Sequence, residues 1–188
     1  MATIRSFIAV EIPFFPSVED AVREIESTGL RAKFVEPHNL HLTVRFLGDI
    51  DEEDVPGILE AMRRAADGVA SFEMDLRGMG YFPGGNRVNV IWLGVENSSP
   101  MEEIARRITH EFEAAGITPP GMDKRSFRPH LTLARVKTPG DKKRLLETIR
   151  SHESTEFGRI SVSEILLKKS VLTPEGPIYT TLGSAELS

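Results

Sequence analysis

The chain has 188 residues, of which 40% are hydrophobic and 27% are charged, the balance of an ordinary globular protein that can bury its own core. It contains no cysteine, which excludes disulfide scaffolds, thiolate zinc sites and cysteine nucleophiles and agrees with a cytoplasmic location. The formal net charge of −5 argues against a protein that grips a long nucleic acid by its phosphates. No apolar run is long enough to span a bilayer, so the sequence predicts no membrane partner.

Four segments have the pattern of amphipathic helices with caps and terminating glycines. They are predicted at about residues 17–28, 54–67, 99–115 and 141–152. Ser17 and Ser99 are the predicted N-caps of the first and third helices. Gly29, Gly68 and Gly116 are the predicted stops, because glycine tolerates the left-handed backbone that ends many helices.

The remaining ordered segments have the alternating or β-branched pattern of strands. They are predicted at 4–11, 40–47, 71–77, 88–95, 127–136, 161–172 and 178–182, and the stretch 161–172 is long enough for two strands. Strands outnumber helices and do not alternate regularly with them. This pattern favours an α+β fold of antiparallel sheets with helices packed outside, rather than a doubly wound parallel sheet.

One short motif occurs twice, as HLTV at 41–44 and as HLTL at 130–133. Both copies lie in predicted strands, where side chains alternate between the two faces. His and Thr of each copy therefore point to one face, and the two apolar residues anchor the other. Each half of the chain places strand–helix–strand material around one copy, which favours two pseudo-symmetric lobes that face each other.

Two imidazoles and two hydroxyls around one cavity suit the chemistry of a phosphodiester. One imidazole can take a proton from water as it attacks phosphorus, and the other can protonate the departing oxygen. The hydroxyls of Thr43 and Thr132 can donate to the non-bridging oxygens. The scheme needs no metal and no cofactor. His38 lies three residues before His41, so strand alternation would turn the two rings to opposite faces and argues against a shared metal ion.

The paired motifs are similar to the two HxTx motifs of the 2H phosphoesterase superfamily. The blocks around them resemble its RNA 2′,3′-cyclic phosphodiesterase branch, often called 2′–5′ RNA ligase-like, and they lie at 5–10, 41–48, 80–83, 127–135 and 176–179. The resemblance implies a single domain over residues 1–188 with the bilobal, pseudo-symmetric α+β fold of the LigT-like proteins. In that fold, two antiparallel sheets line a central cleft, helices lie outside and each lobe supplies one HxTx motif.

The resemblance also implies roles for individual residues. It makes His41 the proton donor and His130 the proton acceptor, with Thr43 and Thr132 holding phosphate oxygens. The implied reaction opens a terminal 2′,3′-cyclic phosphate to a 2′-phosphate, so His41 would protonate the departing 3′ oxygen. The substrates would be RNA ends or small cyclic nucleotides, acted on by a monomer.

Strand alternation and the family pattern disagree about the two arginines that follow the motifs. Strict alternation puts Arg45 on the catalytic face and Arg135 on the opposite face. The family nonetheless has a phosphate-binding arginine at the position of Arg135, which requires a bulge or strong twist in that strand. Alternation also turns Phe46 away from His41 and predicts that it belongs to the core.

Two other functions are compatible with these residues. The same histidine pair could run the reaction backwards and join RNA ends through a 2′–5′ linkage. A non-catalytic RNA-end binding protein is the third possibility, and two intact histidines argue against it. Hydrolysis is favoured because water is abundant and this acidic chain offers no evident surface for two pieces of RNA.

Overall fold

The computed structural model describes residues 2–84, 87–122 and 127–188. The first half contains β1 Thr3–Glu11, α1 Pro16–Glu26, β2 Arg31–Phe34, β3 His41–Asp51, α2 Val55–Ala66, β4 Phe72–Gly84 and β5 Arg87–Glu96. The second half contains α3 Ser99–Ala114, β6 His130–Thr138, α4 Lys142–Ser151, β7 Glu156–Val162, β8 Glu164–Leu172 and β9 Pro177–Glu186.

The strands form two antiparallel sheets. The first sheet has the order β3–β1–β8–β9, and the second has the order β2–β6–β5–β4–β7. Helices α2 and α3 pack together and contact β9 and β3 of the first sheet, whereas α1 and α4 pack together and contact β7 and β4 of the second. The α+β prediction, with antiparallel sheets and external helices, is confirmed. The two motif strands, β3 and β6, belong to different sheets and contact each other.

The predicted helices are present, and their ends follow from local chemistry. Gly29, Gly68 and Gly116 have φ values of 76°, 66° and 68°, the left-handed backbone expected of terminating glycines. The predicted N-caps were wrong by one residue or more. Helix α3 begins at Ser99 and Ser98 precedes it, while Ser17 lies inside α1 and donates its hydroxyl hydrogen to the Phe157 carbonyl of β7.

The strands differ from the predictions in several places, and β3, β4 and β9 continue beyond their predicted ends. The edge strand β2 was missed, because its four residues, RAKF, carry no β-branched side chain. The 161–172 prediction resolves into the end of β7 and the strand β8, with Ser163 between them. Strand β6 begins at His130 rather than at 127, since Pro129 lacks the N–H that a ladder position requires.

Candidate active site

The two HxTx motifs have matching environments on the two sheets. Leu42 and Leu131 are fully buried, whereas Thr43 and Thr132 point away from the core, as the alternation predicts. Each motif strand therefore presents one imidazole and one hydroxyl on the same face. We call the space bordered by these two faces the cleft.

Both histidine rings are held in the same way. The Nδ1 atom of His41 lies 2.6 Å from the Asn39 carbonyl oxygen, and the Nδ1 atom of His130 lies 2.8 Å from the Arg128 carbonyl oxygen. Because a carbonyl oxygen can only accept, each Nδ1 carries a hydrogen and donates it. In both rings the partner is two residues earlier in the chain, which leaves Nε2 available for proton exchange.

A β-bulge follows the threonine of each motif. In the pairing of β6 with β5, Thr132 lies opposite Trp92 and Ala134 lies opposite Ile91, so Leu133 is an extra residue. Leu133 and Ala134 are both buried in succession, and Arg135 is exposed. The bulge thus returns Arg135 to the face of His130 and Thr132, which resolves the conflict between alternation and the family pattern.

The same bulge in β3 reverses the prediction for Arg45. Val44 is the extra residue, because Thr43 pairs with Ala9 and Arg45 pairs with the fully buried Ile8. Arg45 faces the core side and donates to the Ala105 carbonyl of α3 at 3.3 Å. Its predicted place on the catalytic face was wrong, since the extra residue shifts alternation by one.

Phe46 was predicted to belong to the core, and this prediction was also wrong for the same reason. It is half-buried and pairs with Phe7 of β1, whose ring centroid lies 4.9 Å from that of His41. Residues that pair across neighbouring strands share a face, so Phe46 points to the cleft. The Arg5 guanidinium lies over its ring, 4.8 Å from the centroid.

Charged groups from several strands surround His41. Burial lowers the pKa of His41, and the hydrogen bond to the Asn39 carbonyl opposes that effect. The Lys168 ammonium and the Arg135 guanidinium lower the pKa further, whereas the Glu11 carboxylate raises it. Arg135 belongs to the second sheet, so its electrostatic effect on His41 means that its side chain lies near the first motif. Lys168, only 7% exposed, donates to Glu11, which pairs directly with His41 in the register of β1 and β3.

The first sheet forms one wall of the cleft, and Tyr179 of β9 lies there beside His41. Its ring centroid lies 5.1 Å from that of His41 and 5.1 Å from that of Phe7, with both rings met at their edges. Burial raises the pKa of the Tyr179 phenol, and the guanidinium groups of Arg135 and Arg5 oppose this. The phenol therefore lies within the field of cations from both sheets.

The second sheet forms the other wall of the cleft, where an aromatic pair lies beside His130. The Phe82 ring meets the His130 ring nearly at a right angle, with centroids 4.9 Å apart, and lies 5.5 Å from the Trp92 ring. Trp92 was missed by the sequence reasoning. The sequence gives no signal for it, because the close approach of its indole to Gly80, where a Cβ atom would lie 2.4 Å from the ring, depends on the pairing of β4 with β5.

The comparisons with known proteins place the chain in a family. A family model described as the 2′-5′ RNA ligase superfamily matches residues 14–170, which include both motifs. The chain belongs to this superfamily. A protein named RNA 2′,3′-cyclic phosphodiesterase from Methanothermobacter thermautotrophicus is 39% identical over 95% of this chain and 96% of its own length. A protein of the same name from Aquifex aeolicus is 32% identical over 97% of this chain and 96% of its own length.

Solved structures agree with this assignment. TT0787 of Thermus thermophilus superposes with a TM-score of 0.74 at 33% identity and covers 98% of both chains. Escherichia coli LigT complexed with 3′-AMP has a TM-score of 0.70 at 22% identity, over 100% of this chain and 99% of its own. At that identity the second comparison shows the fold alone, and the fold is the LigT-like one.

Two negative findings apply to the residues that the structure describes. None of their helices is long and apolar enough to cross a membrane. No group of three or more His, Asp or Glu side chains in these same ranges is arranged so that it could hold a metal ion.

Proposed function

We propose that this protein hydrolyses a terminal 2′,3′-cyclic phosphate on RNA to a 2′-phosphate by two-histidine acid–base catalysis. The observation that carries the proposal is the matched pair of imidazoles, each held through Nδ1 by the carbonyl two residues earlier, with a threonine on the same face. The names of the relatives that share more than 30% of its residues support the same activity.

The proton transfers follow from the roles that the family assigns. Nε2 of His130 accepts a proton from the attacking water as the new P–O bond forms. Nε2 of His41 gives its proton to the 3′ oxygen as the P–O3′ bond breaks, which leaves the phosphate on the 2′ oxygen. Thr43 and Thr132 donate to the non-bridging oxygens, where negative charge increases in the transition state. Arg135 binds the same oxygens with its planar fork.

Because charged side chains surround His41, the binding of a charged substrate should change the protonation of its imidazole. Arg135 and Lys168 lower the pKa of His41 in the free protein, in addition to the effect of burial. A cyclic phosphate is an anion, and an anion in the cleft offsets the field of these cations. Binding therefore favours the imidazolium form that a proton donor needs.

The arrangement of the motifs supports one functional domain that spans residues 1–188. Each sheet contributes one histidine, so neither lobe alone has the acid–base pair. We also propose that the protein is a cytoplasmic monomer that acts on RNA ends or on small cyclic nucleotides. Light scattering after size exclusion tests the oligomeric state, and a dimer would contradict that part of the proposal.

The decisive experiment is the hydrolysis of 2′,3′-cyclic AMP in the presence of excess EDTA. The product should be 2′-AMP, identified by chromatography against authentic 2′-AMP and 3′-AMP. His130→Ala, purified in the same way, controls for contaminating activity. The absence of turnover by the folded wild-type protein, or 3′-AMP as the product, would contradict the proposal.

A further inference from the structure

We propose that Phe82 and Trp92, here called the aromatic shelf, form a second nucleoside subsite that takes the base of a nucleoside with a free 5′-hydroxyl. The inference rests on the proposed function, because it uses His130 as the group that activates the attacking oxygen. It goes beyond that function because hydrolysis of a cyclic phosphate needs only water on that side of the phosphorus.

The direction of the reaction decides where such a nucleoside must lie. In a phosphoryl displacement the attacking and departing oxygens are roughly in line, on opposite sides of phosphorus. His41 protonates the departing 3′ oxygen, so the ribose of the cyclic nucleotide lies toward the first sheet. An oxygen that attacks from the side of His130 therefore comes from the second sheet, and any nucleoside that carries it must lie against that wall.

The aromatic shelf occupies that wall. Trp92 pairs with Thr132 in the register of β5 and β6, so the two side chains share the cleft face. The Phe82 ring lies between the rings of His130 and Trp92, at 4.9 and 5.5 Å. Phe82 and Trp92 are both half-buried, so each keeps some exposed surface.

Gly80 makes room for the indole to lie over the sheet. Gly80 pairs with Trp92 on β4, and a Cβ atom there would lie 2.4 Å from two atoms of the ring. Any larger side chain at Gly80 would displace the indole.

The indole is poorly explained as simple filling of the core. Its Nε1 atom is buried and has no hydrogen-bond partner in the described part of the chain, which destabilises the fold. A phenylalanine or leucine would fill space without that loss. What tryptophan adds is a wide aromatic ring, and such rings bind nucleobases by stacking, whichever base is present.

The chemistry balances without any additional reactant. When a 5′-hydroxyl replaces water, the O5′–P bond forms, the P–O3′ bond breaks and the hydroxyl proton goes to Nε2 of His130. Nε2 of His41 gives its proton to O3′, and the product is a 2′,5′-phosphodiester. In the reverse direction the 3′-hydroxyl attacks phosphorus and gives its proton to Nε2 of His41, the P–O5′ bond breaks as O5′ takes a proton from Nε2 of His130, and a 2′,3′-cyclic phosphate forms.

The test compares two substrates in the same protein. One is 2′,3′-cyclic AMP, which places no nucleoside on the shelf, and the other is the 2′,5′-linked dinucleotide of adenosine, which places its 5′-linked adenosine there. Trp92→Leu should lower kcat/KM for cleavage of the dinucleotide about ten-fold or more relative to kcat/KM for hydrolysis of cyclic AMP. Tyr81→Leu is the matched control, because Tyr81 is the neighbour of Phe82 on β4, points to the opposite face and is 37% exposed. Its ratio of the two activities should equal that of the wild type.

Each outcome decides the inference. Wild-type protein that hydrolyses cyclic AMP but does not cleave the dinucleotide would overturn the subsite alone. Wild-type protein that hydrolyses neither would overturn the proposed function and the subsite with it. An equal loss of both activities in Trp92→Leu would assign the indole to general support of His130 and would also refute the subsite. If Trp92→Leu does not fold, Trp92→Phe, which keeps a smaller ring, should show a weaker change of the ratio in the same direction.

Discussion

Arg45→Lys and Arg135→Lys each keep a positive charge and remove the planar guanidinium fork, but the bulges at Val44 and Leu133 predict opposite consequences. Arg135 lies on the cleft face, where it can bind phosphate oxygens. The loss of a charge-assisted hydrogen bond there should cost about 1.5–3 kcal/mol of transition-state stabilisation. This corresponds to a fall in kcat/KM of about 10- to 150-fold. The exposed side chain contributes little to folding, so the melting temperature should change little.

Arg45 should show the reverse pattern. Its bond to the Ala105 carbonyl holds α3 against β3, and losing it should destabilise the fold by about 1.5–3 kcal/mol. For a chain of this length, each kcal/mol corresponds to about 2–4 °C, so the melting temperature should fall by about 3–12 °C. At a temperature where the variant is fully folded, kcat/KM should remain within about two-fold of the wild type, because the side chain is outside the cleft.

Both variants are measured by the same two assays, thermal unfolding by circular dichroism and hydrolysis of 2′,3′-cyclic AMP. Arg135→Ala, which removes the charge as well, should be at least as damaging to kcat/KM as Arg135→Lys. A kinetically silent Arg135→Lys together with a damaging Arg45→Lys would show that strict alternation is right and that the bulges do not set the faces of these arginines.

Alanine in place of His41 or His130 should lower kcat by about 10² to 10⁴. The kcat of the double variant should be little lower than that of the poorer single variant. Near-wild-type turnover by either folded single variant would contradict the assignment of these histidines as the acid–base pair. Thr132→Val should raise the barrier by about 2–4 kcal/mol without changing the shape of the pH–rate profile, and a changed profile would give the hydroxyl a part in proton transfer. The Lys168 ammonium lowers the pKa of His41 and the Glu11 carboxylate raises it, so Lys168→Met should raise that pKa in an NMR titration and Glu11→Gln should lower it. Shifts of the same sign in the two variants would refute this charge assignment. Activity should survive prolonged EDTA treatment, and loss with EDTA followed by recovery with zinc, manganese or magnesium would contradict the two-histidine mechanism.

The helices and the motif faces could be predicted because they depend on residues close together in the chain. Gly29, Gly68 and Gly116 end helices through their own backbone freedom. Leu42 and Leu131 are buried opposite the histidines because a strand repeats every two residues. Four-residue β2 has too little pattern of its own, and its place at the edge of the second sheet is set by pairing with β6.

The residues after each motif show where local reasoning stops. A bulge arises when two residues of one strand oppose one residue of its partner, so it depends on the pairing of β3 with β1 and of β6 with β5. Alternation along β3 or β6 alone could not reveal it, and it misplaced Arg45 and Phe46. Only the family pattern at Arg135 indicated that one of the strands departs from regular alternation.

The sequence by itself predicted the α+β class and the shared face of the histidine and threonine in each motif, because a repeated His-x-Thr-x pattern on strands carries its own geometry. The tertiary structure alone decided which arginine enters the cleft, how Lys168 and Glu11 act on His41, and that Trp92 joins Phe82 beside His130. These features depend on cross-strand register and on the meeting of two sheets, which unite residues far apart in the chain.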